Sequence, residues 1–395
     1  MLNSKKFKKL FSSPVLWSLA TFLVWRFFFA FSPIHYEELR DFSAFLDTAN
    51  GRLPYRDFYW HYGPLAPLLY GAVLKLLPDE LFVVRLTSIL FNGVGVVFLG
   101  LIFQRHFQKS RLVFALTLLT SLVWGYPNYS HNHVPAATFL VILIYCLDRF
   151  YKDKNARYLL FGFGAALGCL FVRPVLAGYA VMGLFLVISV WKTSPKLAAQ
   201  RLGVFALLGS LVWLLFYAIF QDSLARAFIP RSIAIYFPTP YPNLHALIPQ
   251  FHSGSLADIV KGFRTSLECF TFYFQFFVWP TAVFVLVNYG KKLASLRTAW
   301  LACLFSLMGS LDVLHYGLAN PAGDPAFLNR APYFFALTAL SLFLFFRKQI
   351  SLLSLNAHSL TRLSLLAPLC VWMLMPTITA IHRLALSSTK NAPLP

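Results

Sequence analysis

Acidic side chains are scarce in this chain: 14 Asp and Glu stand against 34 Lys and Arg, and charged residues make up only 12% of its 395 positions. A water-soluble domain carries roughly 25%. Most of the chain therefore cannot face water, which excludes a soluble enzyme. Glycine-rich phosphate loops of the GxGxxG or GxxxxGKS/T kind are missing, so nothing points to a nucleotide cofactor. Cysteine is rare as well. Cys146, Cys169, Cys269, Cys303 and Cys370 fall inside or at the start of apolar runs without paired spacing. That excludes a disulfide framework or a cysteine metal cage and leaves five small core hydrophobes. No internal repeat and no low-complexity tract is evident.

What is present is apolar: 58% of residues are hydrophobic and 17% aromatic. The formal charge of +20 sits in short clusters between apolar runs. A nucleic-acid partner would call for one basic segment; scattered clusters are the layout of a polytopic membrane protein, in which Lys and Arg fix orientation. Pro14 to Pro33, after Lys5-Lys6 and Lys8-Lys9, reads as a retained first span. Runs of the length needed to cross ~30 Å of hydrocarbon follow near 82–104, 112–126, 133–150, 158–173, 174–191, 202–221, 268–290, 298–314, 331–346 and 363–381. The expectation is a single all-α polytopic membrane domain over residues 1–395 with about eleven transmembrane helices.

The run at 64–77 contains Lys75 and is followed by Asp79 and Glu80. It reads as an in-plane helix rather than a crossing. With the N-terminus cytoplasmic, twenty of the 34 Lys and Arg then fall in short inner tails and loops, in keeping with the positive-inside rule. Only Asp148 and Asp153 fall inside; the other twelve acids gather at the outer side, where chemistry is expected. Two outer segments are long, 34–81 and 222–267.

The first of these carries His35 to Pro67, HYEELRDFSAFLDTANGRLPYRDFYWHYGPLAP. Its front half fits a helix with an apolar stripe of Leu39, Phe42, Ala44 to Leu46 and Ala49, stopped by Asn50-Gly51. Glu37 and Asp41 are four apart and Glu38 and Asp41 three apart, so the acids share a face, with Arg40 beside them. Close to low-dielectric surface a carboxylate has a raised pKa, which suits a general base.

An acidic pair at the exit of the first span, then Gly51-x-x-Pro54-Tyr55-Arg56-Asp57-Phe58 and Gly63-Pro64, resembles the polytopic C-type (GT-C) glycosyltransferases. The pattern is most like the bacterial aminoarabinose and hexose transferases and the protein O-mannosyltransferases. VVRLTSIL with Arg85 resembles the start of that family's second span, GFGAALGCLFVRP its glycine-rich helix ending in a cation and a turn, and the segment 309–332 its late Asp and His loop. Two departures stand out. Glu37 replaces the usual leading Asp, and Ser130-His131-Asn132-His133-Val134-Pro135 stands where many members place a second Asp before a Pro. That acid's role is either missing or taken by an imidazole.

The resemblance implies an inverting transfer of a sugar from a polyprenyl-phosphate donor to a lipid, glycan or protein hydroxyl on the non-cytoplasmic face of a bacterial inner or plasma membrane. Glu37 is then the candidate base and Glu38 its partner. Asp41, Tyr55, Arg56 and Asp57 are candidate substrate contacts. Arg173, just before Pro174 at headgroup depth, is costly there unless it meets an anion, and a polyprenyl phosphate supplies one; Arg85, Lys75 and Arg330 follow the same logic, with Asp312 and His315 near the last. His131, Asn132 and His133 lack a neighbouring acid or cysteine in sequence and read as a Pro-terminated helix start, so no metal and no other cofactor is assigned. The rival readings are a transporter or flippase of a lipid-linked or anionic substrate, using Arg173 and Arg26, and a non-catalytic family member.

Overall fold

Helices form where the apolar runs predict them. The computed structural model describes residues 13–31, 34, 36–58, 60, 62–124, 131–153, 155–173, 195–220 and 331–352. The elements are α1 (Pro14–Phe28, continued by a 3-10 turn at Phe29–Phe31), α2 (Tyr36–Ala49), α3 (Leu65–Leu76), α4 (Leu81–His106), α5 (Ser110–Trp124), α6 (His133–Asp153), α7 (Ala156–Val172), α8 (Pro195–Phe220), α9 (Ala331–Phe345) and the short α10 (Arg347–Ser351). Among the described residues there is no strand; Pro54 and Phe58 form an isolated bridge within a loop. The expected spans at 174–191, 268–290, 298–314 and 363–381, and the loop 222–267, lie outside the described residues, as do Asp312, His315 and Arg330.

By length and composition, α4 and the His133–Phe150 part of α6 can cross a membrane. The 15-residue α1 and α5 and the 17-residue α7 are shorter, roughly 22–26 Å at 1.5 Å per residue. The 12-residue helix at 64–77, roughly 18 Å long, falls well short of a crossing. Neighbours in the bundle are α1 with α4 and α5, α4 with α5 and α6, α6 with α7, and α9 with α5.

The core is apolar, but the surface and the helix interfaces depart from those of a soluble bundle. Trp17, Val24, Phe28, Leu90, Leu160, Phe161, Leu211 and Leu342 are exposed, whereas Ser18, Thr87, Asn92, Thr117, Ser121 and Thr138 are buried. Water would not tolerate that apolar exterior, but lipid would, and small polar residues between helices are a mark of membrane interfaces. Ser18 donates to the Phe114 carbonyl at 3.2 Å and Thr138 to the Phe91 carbonyl at 2.9 Å, joining α1 to α5 and α6 to α4. A Cβ at Gly95 would meet the Trp124 indole at 2.8 Å, so glycine sets how closely α4 and α5 approach.

Charge sits at the two ends of this bundle. At one end Arg105 and His106 of α4 grip the buried Asp148 of α6 at 2.6 and 2.9 Å. At the other, Arg85 opens α4. These two arginines are twenty residues apart along one helix, ~30 Å, which is the thickness of a bilayer's hydrocarbon core.

Candidate active site

The Arg85 end is built from four segments that the local sequence stops or starts there. The acid helix α2 ends at Asn50-Gly51, Gly51 taking φ +82°, a conformation open to glycine at low cost. After α2 a loop returns to Gly63-Pro64, which opens α3. On the far side α6 starts at His133 with Pro135 in its first turn, where a missing N–H costs nothing. Arg173 leaves α7 extended (φ −147°, ψ 96°), because the residue before a proline is pushed out of the helical region.

Helix α2 turns its acids inward. Glu38 is 2% exposed and Asp41 fully buried, in line with Phe45, which stacks on Tyr70 of α3 with ring centroids 4.5 Å apart. Leu39, expected on the buried stripe, is 51% exposed. The rest of the expected stripe packs inward, Ala44 and Phe45 buried and Phe42, Leu46 and Ala49 against the core, so the correction is confined to Leu39: the partners waiting for the carboxylates on α4 and α6 outweigh the burial of one leucine.

Those partners form a continuous network. Arg85 Nε donates to Glu38 Oε1 and an Arg85 terminal N–H to Glu38 Oε2, both at 2.7 Å, and a third Arg85 N–H reaches the Ala30 carbonyl at 2.8 Å. His131 Nε2–H donates to Glu38 Oε1 at 3.0 Å. His131 Nδ1 lies 2.7 Å from the Ser88 hydroxyl, and Ser88 is in turn 2.8 Å from the Tyr70 hydroxyl. Asp41 takes Arg40 on one oxygen at 2.8 and 3.2 Å and the Asn132 amide on the other at 2.9 Å. Arg173, 2% exposed, donates to Asn132 Oδ1 at 2.9 Å and to His133 Nε2 at 2.7 Å, and lies 4.7 Å over the Tyr62 ring.

The loop is fastened to this cluster. Gly63 N–H donates to the Val172 carbonyl at 3.0 Å, Trp60 Nε1–H to the Gly63 carbonyl at 3.0 Å, and the Tyr55 hydroxyl to the Tyr62 carbonyl. Tyr55 holds a φ of +67°, rare for a non-glycine residue. Such backbone persists only where surroundings over-determine it, as the buried ring and its hydroxyl contact do here.

The expectation of a raised pKa fails for Glu38. Burial pushes its carboxyl up, but the hydrogen bonds and positive charge of Arg85 and His131 outweigh this and lower it from 4.5 to about 2. Glu38 is therefore a firmly ionised, fully engaged carboxylate and a poor proton acceptor. Asp57, which pairs with Arg56 at 2.8 Å and accepts from the Leu53 N–H, is likewise lowered to about 2, by Arg56 first and the backbone second. That pair shapes the loop surface and does not join the buried network. Lys75 is exposed in the last turn of α3. Glu37 sits in the first turn of α2; its side chain lies outside the described residues.

Four of the sequence candidates, Glu38, Asp41, Arg85 and Arg173, thus converge. Sequence reading did not select His131, Asn132, His133, Ser88, Tyr70 and Tyr62. The available signal was the polar triplet before Val134-Pro135, in a stretch otherwise flanked by apolar helices. Among the described residues no three His, Cys, Asp or Glu side chains are grouped as metal ligands.

Residues 61–216 match the family model described as dolichyl-phosphate-mannose-protein mannosyltransferase. The matched stretch takes in Arg85, His131 to His133 and Arg173, and begins just after the acid helix. It supports the similarity to C-type glycosyltransferases and, with it, a membrane glycosyltransferase of that type. No curated protein matches the chain significantly.

Proposed function

We propose that this protein is an integral membrane enzyme that moves a sugar from a polyprenyl-phosphate donor to a lipid, glycan or protein hydroxyl, at the non-cytoplasmic end of a bundle of about eleven spans in a bacterial inner or plasma membrane. The observation that carries the reading is the buried junction of acid helix and cations: Glu38 and Asp41 meet Arg85, Asn132 and Arg173 at one end of apolar helices. Buried charge at membrane depth is expensive and marks function by default.

Roles follow from what each side chain already holds. Glu38 and Asp41 have their oxygens occupied, so they act as positioning residues, Glu38 for Arg85 and His131 and Asp41 for Arg40 and Asn132. Glu37, the first acid of α2, is the base. The acceptor hydroxyl oxygen attacks the anomeric carbon, the bond from that carbon to the phosphate oxygen breaks with its electron pair leaving on the phosphate, and the hydroxyl proton passes to the Glu37 carboxylate, giving inversion. Arg173 holds the departing phosphate; its planar fork suits that anion. The departing group already carries charge and needs no added acid.

The test is Glu37→Gln in proteoliposomes supplied with polyprenyl-phosphate mannose labelled in the sugar, folding being followed by gel filtration. Removing a general base costs ~100-fold to 10,000-fold in rate, so sugar transfer should fall by at least ~100-fold with the elution profile unchanged. Transfer at the wild-type rate would refute the assignment.

A further inference from the structure

We propose that Asn132 is the positioning residue that aims Arg173 at the donor phosphate, its carboxamide being oriented by Asp41; the inference rests on the reading of Arg173 given above. A buried carboxamide has two unlike ends, and its partners decide which way it faces. Asp41 Oδ2 accepts from Asn132 Nδ2–H at 2.9 Å and from the Asn132 backbone N–H at 3.3 Å. An ion-paired carboxylate only accepts, so it selects the NH2 end and turns Oδ1 the other way, onto Arg173 at 2.9 Å.

The carboxylate cannot rotate to spoil this arrangement, because its other oxygen is held by Arg40 at 2.8 and 3.2 Å. Asp41 and Asn132 are both fully buried, so water does not compete for either end. Orientation thus passes from Arg40 through Asp41 and Asn132 to a guanidinium on another helix. The same terminal nitrogen of Arg173 also donates to His133 Nε2 at 2.7 Å, and the guanidinium lies 4.7 Å over the Tyr62 ring.

This geometry makes a pair of substitutions non-additive in a definite direction. In Asn132→Asp two carboxylates face each other where an amide had faced a carboxylate, and the side chain must turn, taking Arg173 with it. In Asp41→Asn the new amide can still offer its oxygen to Asn132; its NH2 then faces Arg40, whose side chain is 28% exposed and can swing to solvent, so Asn132 keeps its orientation. In the double variant the new amide at 41 faces the new carboxylate at 132, and the donor-to-acceptor sense is restored with its direction reversed.

The experiment is a donor titration on the full-length protein in proteoliposomes with polyprenyl-phosphate mannose, reading KM for donor and kcat separately. Asn132→Asp should raise KM about tenfold with kcat within about threefold, Asp41→Asn should move KM less than about threefold, and the double variant should return to within about threefold of wild type, a coupling of the size expected for touching buried groups. Asn132→Ser, which introduces no charge, should raise KM as well and stands in if the aspartate variant does not fold. An unchanged KM in Asn132→Ser, or a double variant no better than Asn132→Asp, overturns the inference. Arg173→Gln separates the two layers. If it leaves donor KM unchanged, the phosphate assignment itself fails; if it raises KM while the Asn132 variants do not, only the positioning role fails.

Discussion

Replacing Glu38 with glutamine keeps the shape of the side chain and removes the charge that Arg85 is built around. Arg85 is forked onto both carboxylate oxygens at 2.7 Å, with side-chain exposures of 11% for Arg85 and 3% for Glu38. Glutamine offers one oxygen and presents its NH2 group to the fork, so a donor faces a donor and the guanidinium is left without its counter-charge. Removing one partner of a buried pair costs about 3–5 kcal/mol. Glu38→Gln should therefore lower the thermal midpoint of the detergent-solubilised protein at pH 7 by several degrees. Glu38→Gln with Arg85→Met, which removes the pair together, should recover most of that loss, because a well-packed apolar replacement is often neutral.

The acid side gives an independent check. The folded-state pKa is depressed, so the contribution of Glu38 is complete above its ordinary 4.5 and is lost as pH falls from there toward about 2. Wild type should lose stability across that window, and Glu38→Gln should lack that part of the acid sensitivity. A Glu38→Gln protein that melts within a degree of wild type at pH 7, and that keeps the full acid dependence, would show that the buried ion pair does not form.

Two further outcomes follow from the same geometry. Gly63→Ala places a Cβ 1.9 Å from the Phe171 carbonyl oxygen and 2.4 Å from its carbon, both backbone atoms that cannot swing aside; the loop must lift off α7, so sugar transfer should fall at least about tenfold, the equivalent of ~1.4 kcal/mol, while limited trypsinolysis at the exposed Arg56 speeds up. Asp148→Asn removes the buried counter-charge of Arg105 and His106 at the opposite end of α4, leaving Arg105 only its longer 3.9 Å pair with Asp153, so it should destabilise by about 2–3 kcal/mol in a melting experiment and leave the donor KM of the folded fraction unaltered.

How far the site was legible before folding can be argued from two helices. On α2 the acids at 37, 38 and 41 and the terminating Gly51 are plain in sequence, because local spacing fixes which residues share a face. Which face turns inward is not local. The amphipathic stripe correctly included Ala44 and Phe45, but it also took in Leu39, which is exposed, while the folded chain buries Glu38 and Asp41 beside Phe45, since charged residues join the buried face when Arg85 and Asn132 stand opposite them. On α6 the triplet at 131–133 carries no recognisable spacing and reads as an ordinary helix start. Its meaning depends on Glu38 and Asp41, more than ninety residues earlier.

Composition and the spacing of apolar runs by themselves determined that this chain forms long apolar helices with charge confined to their ends, because hydrogen-bonded backbone inside hydrocarbon leaves few alternatives. They also placed Arg85, Arg105, Asp148 and Arg173 at helix ends. Tertiary structure alone decided which of those ends meet, that Glu38 is an ionised strut rather than a proton acceptor, and that an asparagine and two histidines complete the cluster. The physical reason is that a side chain's charge state, orientation and partners are set by groups distant in sequence, and those distances exist only once the helices have packed.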